Sequence, residues 1–171
     1  GEGIVLRENL IGAETANGAV LGNTGHGVQV RSGSIDASRN VIAGSGGNGV
    51  DVASGATAKL TGNRIWASTG TAIANPDGPS APGIAGAIIA DTDGAPLTTL
   101  LIDGLEEGAT GTIEVFANDT ATGGQAQHVL DATRTIAAQE TVRIVQLASG
   151  RDHFTVTFTD SGGNTSELSP V

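Results

Sequence analysis

His26 stands between two glycines in Gly25-His26-Gly27. An imidazole presented on bare backbone has the chemistry of a general acid or base. It would need carboxylates beside it and a basic clamp for a polar substrate. The nearest downstream acids, Asp36 and Asp51, stand apart, and neither an Asp pair nor Arg-x-Lys occurs. Acidic oxygens gather instead late in the chain, at Asp91, Asp93, Asp103, Asp119, Asp160 and Asn164. Loops of this kind can supply the roughly six to eight oxygens that Ca²⁺ takes. Asp91-Thr-Asp93-Gly94 opens like a calcium loop but lacks the later ligands. Asp91, Asp93 and Asp160 are therefore the candidate Ca²⁺ ligands, set against a preferred reading as turn formers and solubilising charges. Gly46-Gly-Asn-Gly-Val-Asp-Val-Ala-Ser54 matches a calcium nonapeptide in letters, but such sites draw ligands from successive copies and there is one. Trp66 could offer a sugar a flat face, yet with one Trp and no Tyr a stacking platform has little to work with. Zero Cys excludes disulfides, zinc thiolates and a cysteine nucleophile. There is no Ser-His-Asp spacing signal, phosphate loop or His-Glu-x-x-His. Asn118-Asp-Thr and Asn164-Thr-Ser fit the N-glycosylation pattern, which chance often produces. The expectation is a chain that is not an enzyme and needs no cofactor.

The elements that carry these residues repeat. Asn9-Leu-Ile11, Asn40-Val-Ile42 and Asn63-Arg-Ile65 each follow a short alternating run, Ile4-Val-Leu6, Ile35-Asp-Ala37 and Ala58-Lys-Leu60. A third piece recurs as Val28-Gln-Val30, Val50-Asp-Val52 and Ile73-Ala-Asn75. The second and third repeats lie about 23 residues apart, and the first carries an insertion within Gly12–Gly22. Three short strands per period of this size predict a parallel β-helix of about three rungs. Alternation sends every second residue inward. Val28/Val30 with Val50/Val52, and Ile11 with Ile42 and Ile65, then stack across rungs. Asn9, Asn40 and Asn63 fall on the inward parity at a corner, where their amides are expected to form a ladder. Gly27, Gly44, Gly46, Gly47 and Gly49 are expected to supply left-handed corners. His26 shares a repeat position with Asn48 and Thr71 and so reads as a solvent-facing corner residue. Trp66 lies on the outward parity of the last rung, where packing against the second half is its expected role.

Charge and proline change along the chain. The net charge is −10, and residues 81–171 carry twelve acids against three bases. All five prolines lie at or after Pro76. Residues 1–75 are read as the β-helix, 76–83 as a linker and 84–171 as a second domain. There, apolar or alternating runs at Ile84–Ala90, Leu97–Ile102, Thr112–Ala117, Gln127–Leu130, Thr141–Leu147 and Phe154–Thr159 are separated by turn signals. They predict an antiparallel immunoglobulin-like sandwich with Phe116, Phe154 and Phe158 as core anchors. An acidic chain with a single Lys is a poor partner for nucleic acid or anionic membranes. No apolar run approaches the length of a membrane span.

The stretches Asn9-Leu-Ile-Gly-Ala-Glu-Thr-Ala-Asn-Gly-Ala-Val-Leu-Gly-Asn-Thr-Gly-His-Gly-Val28 and Asn40-Val-Ile-Ala-Gly-Ser-Gly-Gly-Asn-Gly-Val50 resemble units of bacterial right-handed parallel β-helix surface proteins. Ile113-Glu-Val-Phe-Ala-Asn118 and Phe154–Glu167 resemble the Ig-like domain often found after such helices. The resemblance implies an all-β fold and a secreted or cell-surface, structural role. The glycine-flanked His26 resembles that of polygalacturonase-type hydrolases, whose clustered acids and basic clamp are missing here. The cluster that a pectate lyase would need is missing too. The expected function is a surface or adhesin-type module, or a filament subunit that stacks through open β-helix ends. A carbohydrate-binding or carbohydrate-cleaving fragment is the alternative. The chain opens Gly-Glu-Gly and reads as a processed chain or a fragment. Its first rung, at Ile4, Val5, Leu6 and Ile11, is expected to pair either with another copy, head to tail, or with upstream β-helix.

Overall fold

Short alternating runs build the first half. In the computed structural model, which describes residues 3–15, 19–92, 95–121, 125–130, 134–136, 143–148 and 151–171, the chain is all-β. No helix occurs among the described residues. Among the described residues, nine strands precede residue 75: β1 (Ile4–Arg7), β2 (Leu10–Ile11), β3 (Val28–Val30), β4 (Ser34–Ser38), β5 (Val41–Ala43), β6 (Val50–Val52), β7 (Thr57–Thr61), β8 (Arg64–Trp66) and β9 (Ile73–Ala74). They pair as three parallel three-stranded sheets, β1-β4-β7, β2-β5-β8 and β3-β6-β9. Each pass of the chain contributes one strand to each sheet before starting the next layer.

The register follows the apolar pattern. Ile4, Ile35 and Ala58 align, as do Leu6, Ala37 and Leu60. Ile11, Ile42 and Ile65 form a second column, and Val28, Val50 and Ile73 a third. These columns meet in one core. A one-residue slip would turn every inward aliphatic to solvent, which is what pins the register. Within the first pass, Ala13 is bridged antiparallel to Val20.

The glycines act differently from the expectation. Of Gly27, Gly44, Gly46, Gly47 and Gly49, only Gly44 has a left-handed φ (63°). Gly27 and Gly49 serve close approach. A Cβ on Gly27 would lie 2.4 Å from Ile42 Cγ2, and one on Gly49 would lie 2.3 Å from Ile65 Cγ2.

The second half comprises β10 (Gly83–Thr92), β11 (Ala95–Asp103), β12 (Gly111–Asn118), β13 (His128–Val129), β14 (Arg134–Ile136), β15 (Arg143–Ala148) and β16 (His153–Asp160). β10, β11 and β15 form one antiparallel sheet. In the other, β16 pairs with β12 along its whole length, while β13 and β14 share the opposite edge of β12. The alternation of β12 then decides the layering. Ile113, Val115 and Ala117 join Leu100, Ile102, Phe154, Val156 and Phe158 in a core between the two sheets. Glu114 and Phe116 point the other way. Phe116, expected inside that core, instead joins Ile65, Ile73 and Ala126 in the core of the parallel sheets. The β12/β16 sheet is thus buried on both faces and lies between the β10/β11/β15 sheet and the last layer of the parallel stack.

The stretch expected as a linker, 76–83, is tied down. Asp77 accepts hydrogen bonds from Ser54 Oγ at 2.8 Å and Gly55 N at 2.7 Å. Asn164 Nδ2 donates to the carbonyl of Asp77.

Parity gives a sharp test. Val50 is buried and its neighbour Asp51 faces outward. Val50→Asp is expected to cost more than about 3 kcal/mol because it buries an unpaired charge. Asp51→Asn is expected to cost about 1 kcal/mol or less. Thermal melts of the two variants check the assignment, and equal losses would contradict it.

Candidate functional site

A left-handed corner precedes each repeat Asn. Glu8, Arg39 and Gly62 have φ of 57°, 53° and 62°. Two of these carry side chains, at a cost of about 1–2 kcal/mol each. The corner aims the following Asn inward, where it bonds to its equivalents. Asn40 N and Nδ2 donate to Asn63 Oδ1 at 3.0 and 2.9 Å. Asn9 N and Nδ2 donate likewise to Asn40 Oδ1 at 3.0 and 2.9 Å. Asn40 Nδ2 and Asn63 Nδ2 also reach back to the carbonyls of Leu6 and Ala37, each at 2.8 Å. Asn9 Nδ2 turns instead to Arg7 O in its own pass. The ladder therefore has direction. Each side-chain oxygen accepts from the layer before it, and Asn9 Oδ1 has no donor among the described residues.

The end facing away from Asn9 is closed. Along the corner, Glu8 N donates to Ser38 O and Arg39 N to Thr61 O. Gly62 has no further layer below it, and its N–H goes to Glu114 Oε1 at 2.8 Å. A carboxyl oxygen replaces the missing carbonyl. The same substitution runs round the last layer. Ala58 N donates to Asn164 Oδ1 and Leu60 N to Thr165 Oγ1. Thr165 N returns a bond to Ala58 O. Ile65 and Ala126 exchange both backbone bonds, at 2.9 and 2.7 Å. Asn75 N donates to Glu167 Oε1. Each of the three parallel sheets thus meets a partner from the second half.

The other end is open. Ile4, Ile35 and Ala58 share one inward column, yet they are 68%, 7% and 0% exposed. Val5 and Leu10 are exposed, and Leu6 and Ile11 are half-buried against the core. Val20 and Leu21 add to the exposed aliphatics.

Trp66, expected at the junction, has its described packing elsewhere. It packs against Ala13, Val41 and Ala43 on the outer face of its sheet, with Arg64 stacked 5.0 Å above its ring. The contacts that join the halves here come from its neighbours, Ile65 through Ala126 and Arg64 Nε through Gln127 O.

His26 sits on a second, exposed corner. Its Nδ1 accepts from Asn48 N at 3.0 Å, and Asn48 Oδ1 accepts from Thr71 N at 3.1 Å. The structure brings Asp51 within 3.9 Å of His26 Nε2. Desolvation raises the Asp51 pKa, but hydrogen bonds from Gln29 and Asn48 outweigh it and hold the carboxylate below its usual range. With Nδ1 accepting, the neutral ring carries its proton on Nε2 and has no lone pair left for a substrate.

Among the calcium candidates, Asp160 closes a turn, with Oδ1 accepting from Asn164 N at 2.8 Å. Asp91 pairs opposite Pro96 at the end of the β10–β11 hairpin, and its side chain lies outside the described residues, as does Asp93. No group of three or more His, Asp or Glu that could hold a metal occurs among the described residues. Asn118 is buried with its amide on Thr155 Oγ1, so a glycan does not fit there in the folded state.

Glu114 was not singled out by its sequence. The available signal was a Glu on the parity opposite to Ile113 and Val115 in an otherwise apolar strand. It is 4% exposed, and burial pushes its pKa up to about 7, against the opposing hydrogen bond from Gly62. Thr157, opposite in register, has a buried hydroxyl without a partner among the described residues.

No family model matches the chain, and no curated protein matches it.

This geometry generates two tests. Asn40→Leu strips the ladder of its middle member and is expected to cost about 3–5 kcal/mol in a denaturant melt. Glu114 has a raised pKa in the folded state, so its contribution to stability is fully present below about pH 4.5 and is lost as pH rises through about 7. Across that window the loss is on the order of 3 kcal/mol. Arg39 and Arg64 line the same region. Melts of wild type and Glu114→Gln from pH 4 to 8 should diverge in this window, with the variant the flatter of the two.

Proposed function

We propose that the chain is a non-enzymatic structural module, a short right-handed parallel β-helix closed at one end by an Ig-like sandwich. Its open first layer continues the β-helix of a larger surface assembly. The observation that carries this reading is the asymmetry of the two ends. One end has a partner from the second half for each of its three sheets. At the other, inward Ile4 is 68% exposed. An aliphatic column that is buried in every later layer fits a first layer that has another above it. Asn9 Oδ1 offers that layer the acceptor that Asn40 and Asn63 offer theirs.

Two occupants compete for this place, upstream β-helix and a second copy stacked head to tail. The closed last layer favours upstream turns, because strand-on-strand stacking of identical copies needs two open ends. The secreted or cell-surface setting rests on the resemblance of the repeats to bacterial surface β-helices. The acidic balance agrees with it through solubility.

The test adds one turn. A copy of residues 34–56 placed directly before Gly3 puts a strand equivalent to β4 over β1 and an Asn over Asn9. The extended chain is expected to melt at least about 5 °C higher than the parent, remain monomeric by light scattering and protect the β1 amides from exchange. An added segment that is cleaved by protease without any rise in melting temperature would overturn the reading. Wild type should form no head-to-tail filaments in electron micrographs.

A further inference from the structure

We infer that the corner at Gly25–Gly27 is a second recognition point for the turn above the first layer, and that it selects a turn carrying Asn, Asp or His there. The inference rests on the reading of the first layer as one that has another above it. It names the chemistry that distinguishes this turn from other strands, those of a second copy included.

The corner before β3 recurs before β6 and β9, as Thr24-Gly25-His26, Gly46-Gly47-Asn48 and Thr69-Gly70-Thr71. Its side chains form a ladder of their own. Asn48 N donates to His26 Nδ1 at 3.0 Å, and Thr71 N donates to Asn48 Oδ1 at 3.1 Å. His and Asn share an acceptor at the δ position. Backbone bonds accompany the ladder, from Gly47 N to Gly25 O and from Gly70 N to Gly47 O. With the first layer taken as uppermost, the lower layer donates each time and the upper accepts. The corresponding donors of the first layer are Gly25 N and His26 N, and neither has an acceptor among the described residues.

The glycines supply an independent observation. None of Gly25, Gly47 and Gly70 has a left-handed φ, so the backbone conformation does not require them. What lies over Gly47 and Gly70 does. A Cβ on Gly47 would meet His26 Nδ1 at 2.9 Å, and one on Gly70 would meet Asn48 Oδ1 at 2.3 Å. A Cβ on Gly25 would meet nothing within 4 Å. Gly25 thus keeps clear the slot that a δ-acceptor side chain fills in each layer below.

The corner at Asn9 has the opposite polarity, because there the upper layer donates and the lower accepts. The first layer therefore offers an acceptor at Asn9 and a donor at His26. A parallel turn answers both in one register and one direction only. A second copy does not answer them, because the layer it would bring to this corner carries Thr71, whose hydroxyl is at the γ position.

The test uses the chain with residues 34–56 repeated before Gly3, which brings the copied Asn48 over His26. Amide exchange at Gly25 and His26 should slow at least about tenfold relative to the parent. Asn48→Ala in the copy should return His26 to the parent rate while the β1 amides stay protected, and Asn48→His should keep the protection. Gly25→Val should leave the melting temperature of the parent within about 1 °C and lower that of the extended chain by about 3 °C or more. If β1 gains no protection from the added turn, the proposed function fails and this inference with it. If β1 is protected but His26 ignores Asn48→Ala, or Gly25→Val acts equally in both chains, this inference alone is overturned. A parent whose His26 amide becomes protected as its concentration rises would assign the corner to a second copy and overturn it as well.

Discussion

A parallel sheet cannot end inside a protein without a donor or acceptor for every group along its last strand. This constraint organises the molecule. Each layer of the stack exchanges N–H and carbonyl groups with the layers on either side of it, and residues 57–75 form the last layer. The second half of the chain meets that row of groups with side-chain oxygens from Glu114, Asn164, Thr165 and Glu167 and a backbone bridge at Ala126. The placement of β12 and β16 against the stack, the burial of Glu114 and the fixing of Asp77 are all consequences of it. An unpaired backbone group in such a place costs about as much as a lost hydrogen bond.

The Asn ladder solves a related problem at the corner. A left-handed residue turns the chain, and the next side chain replaces backbone bonds that the turn removes. Asn suits the position because one amide both donates and accepts along the stacking direction. Leu would fill the space and leave the carbonyls of Leu6 and Ala37 without donors.

The parallel half was legible in the sequence because two-residue alternation and a constant repeat are local signals. Val28 over Val50 and Ile42 over Ile65 could be aligned by eye, and the ladder residues share one offset. The strands of the second half were legible too, except β14. The closure of the last layer was not. Its members lie 52 to 106 residues from their partners and have no common type, spacing or period. Phe116 was misassigned for the same reason. An apolar residue on β12 is buried on either face, so hydrophobicity could not say which core it joins. Trp66 drew attention by its size, while the junction used the backbone of Ile65, which has no side-chain signature. Gly27 and Gly49 were legible as necessary, but for close approach and not for a turn.

The long reach of that closure bears on how the chain acquires its structure. Leu60 waits for Thr165, 105 residues later, and Asn75 for Glu167, 92 residues later. On a ribosome these segments emerge well after the strands they meet. Until then the third layer presents an unpaired parallel edge, and loop closure over such distances carries an entropic cost that local contacts avoid. The early layers can nucleate among themselves, but the last layer and the β12/β16 sheet are each incomplete without the other. They are expected to form one cooperative unit, late in folding, and to open as one. A chain cut after Asn164 would lose Thr165 and Glu167, the partners of Leu60 and Asn75. Its last layer would be only partly closed, and an open strand edge of that kind is prone to pair with its own kind.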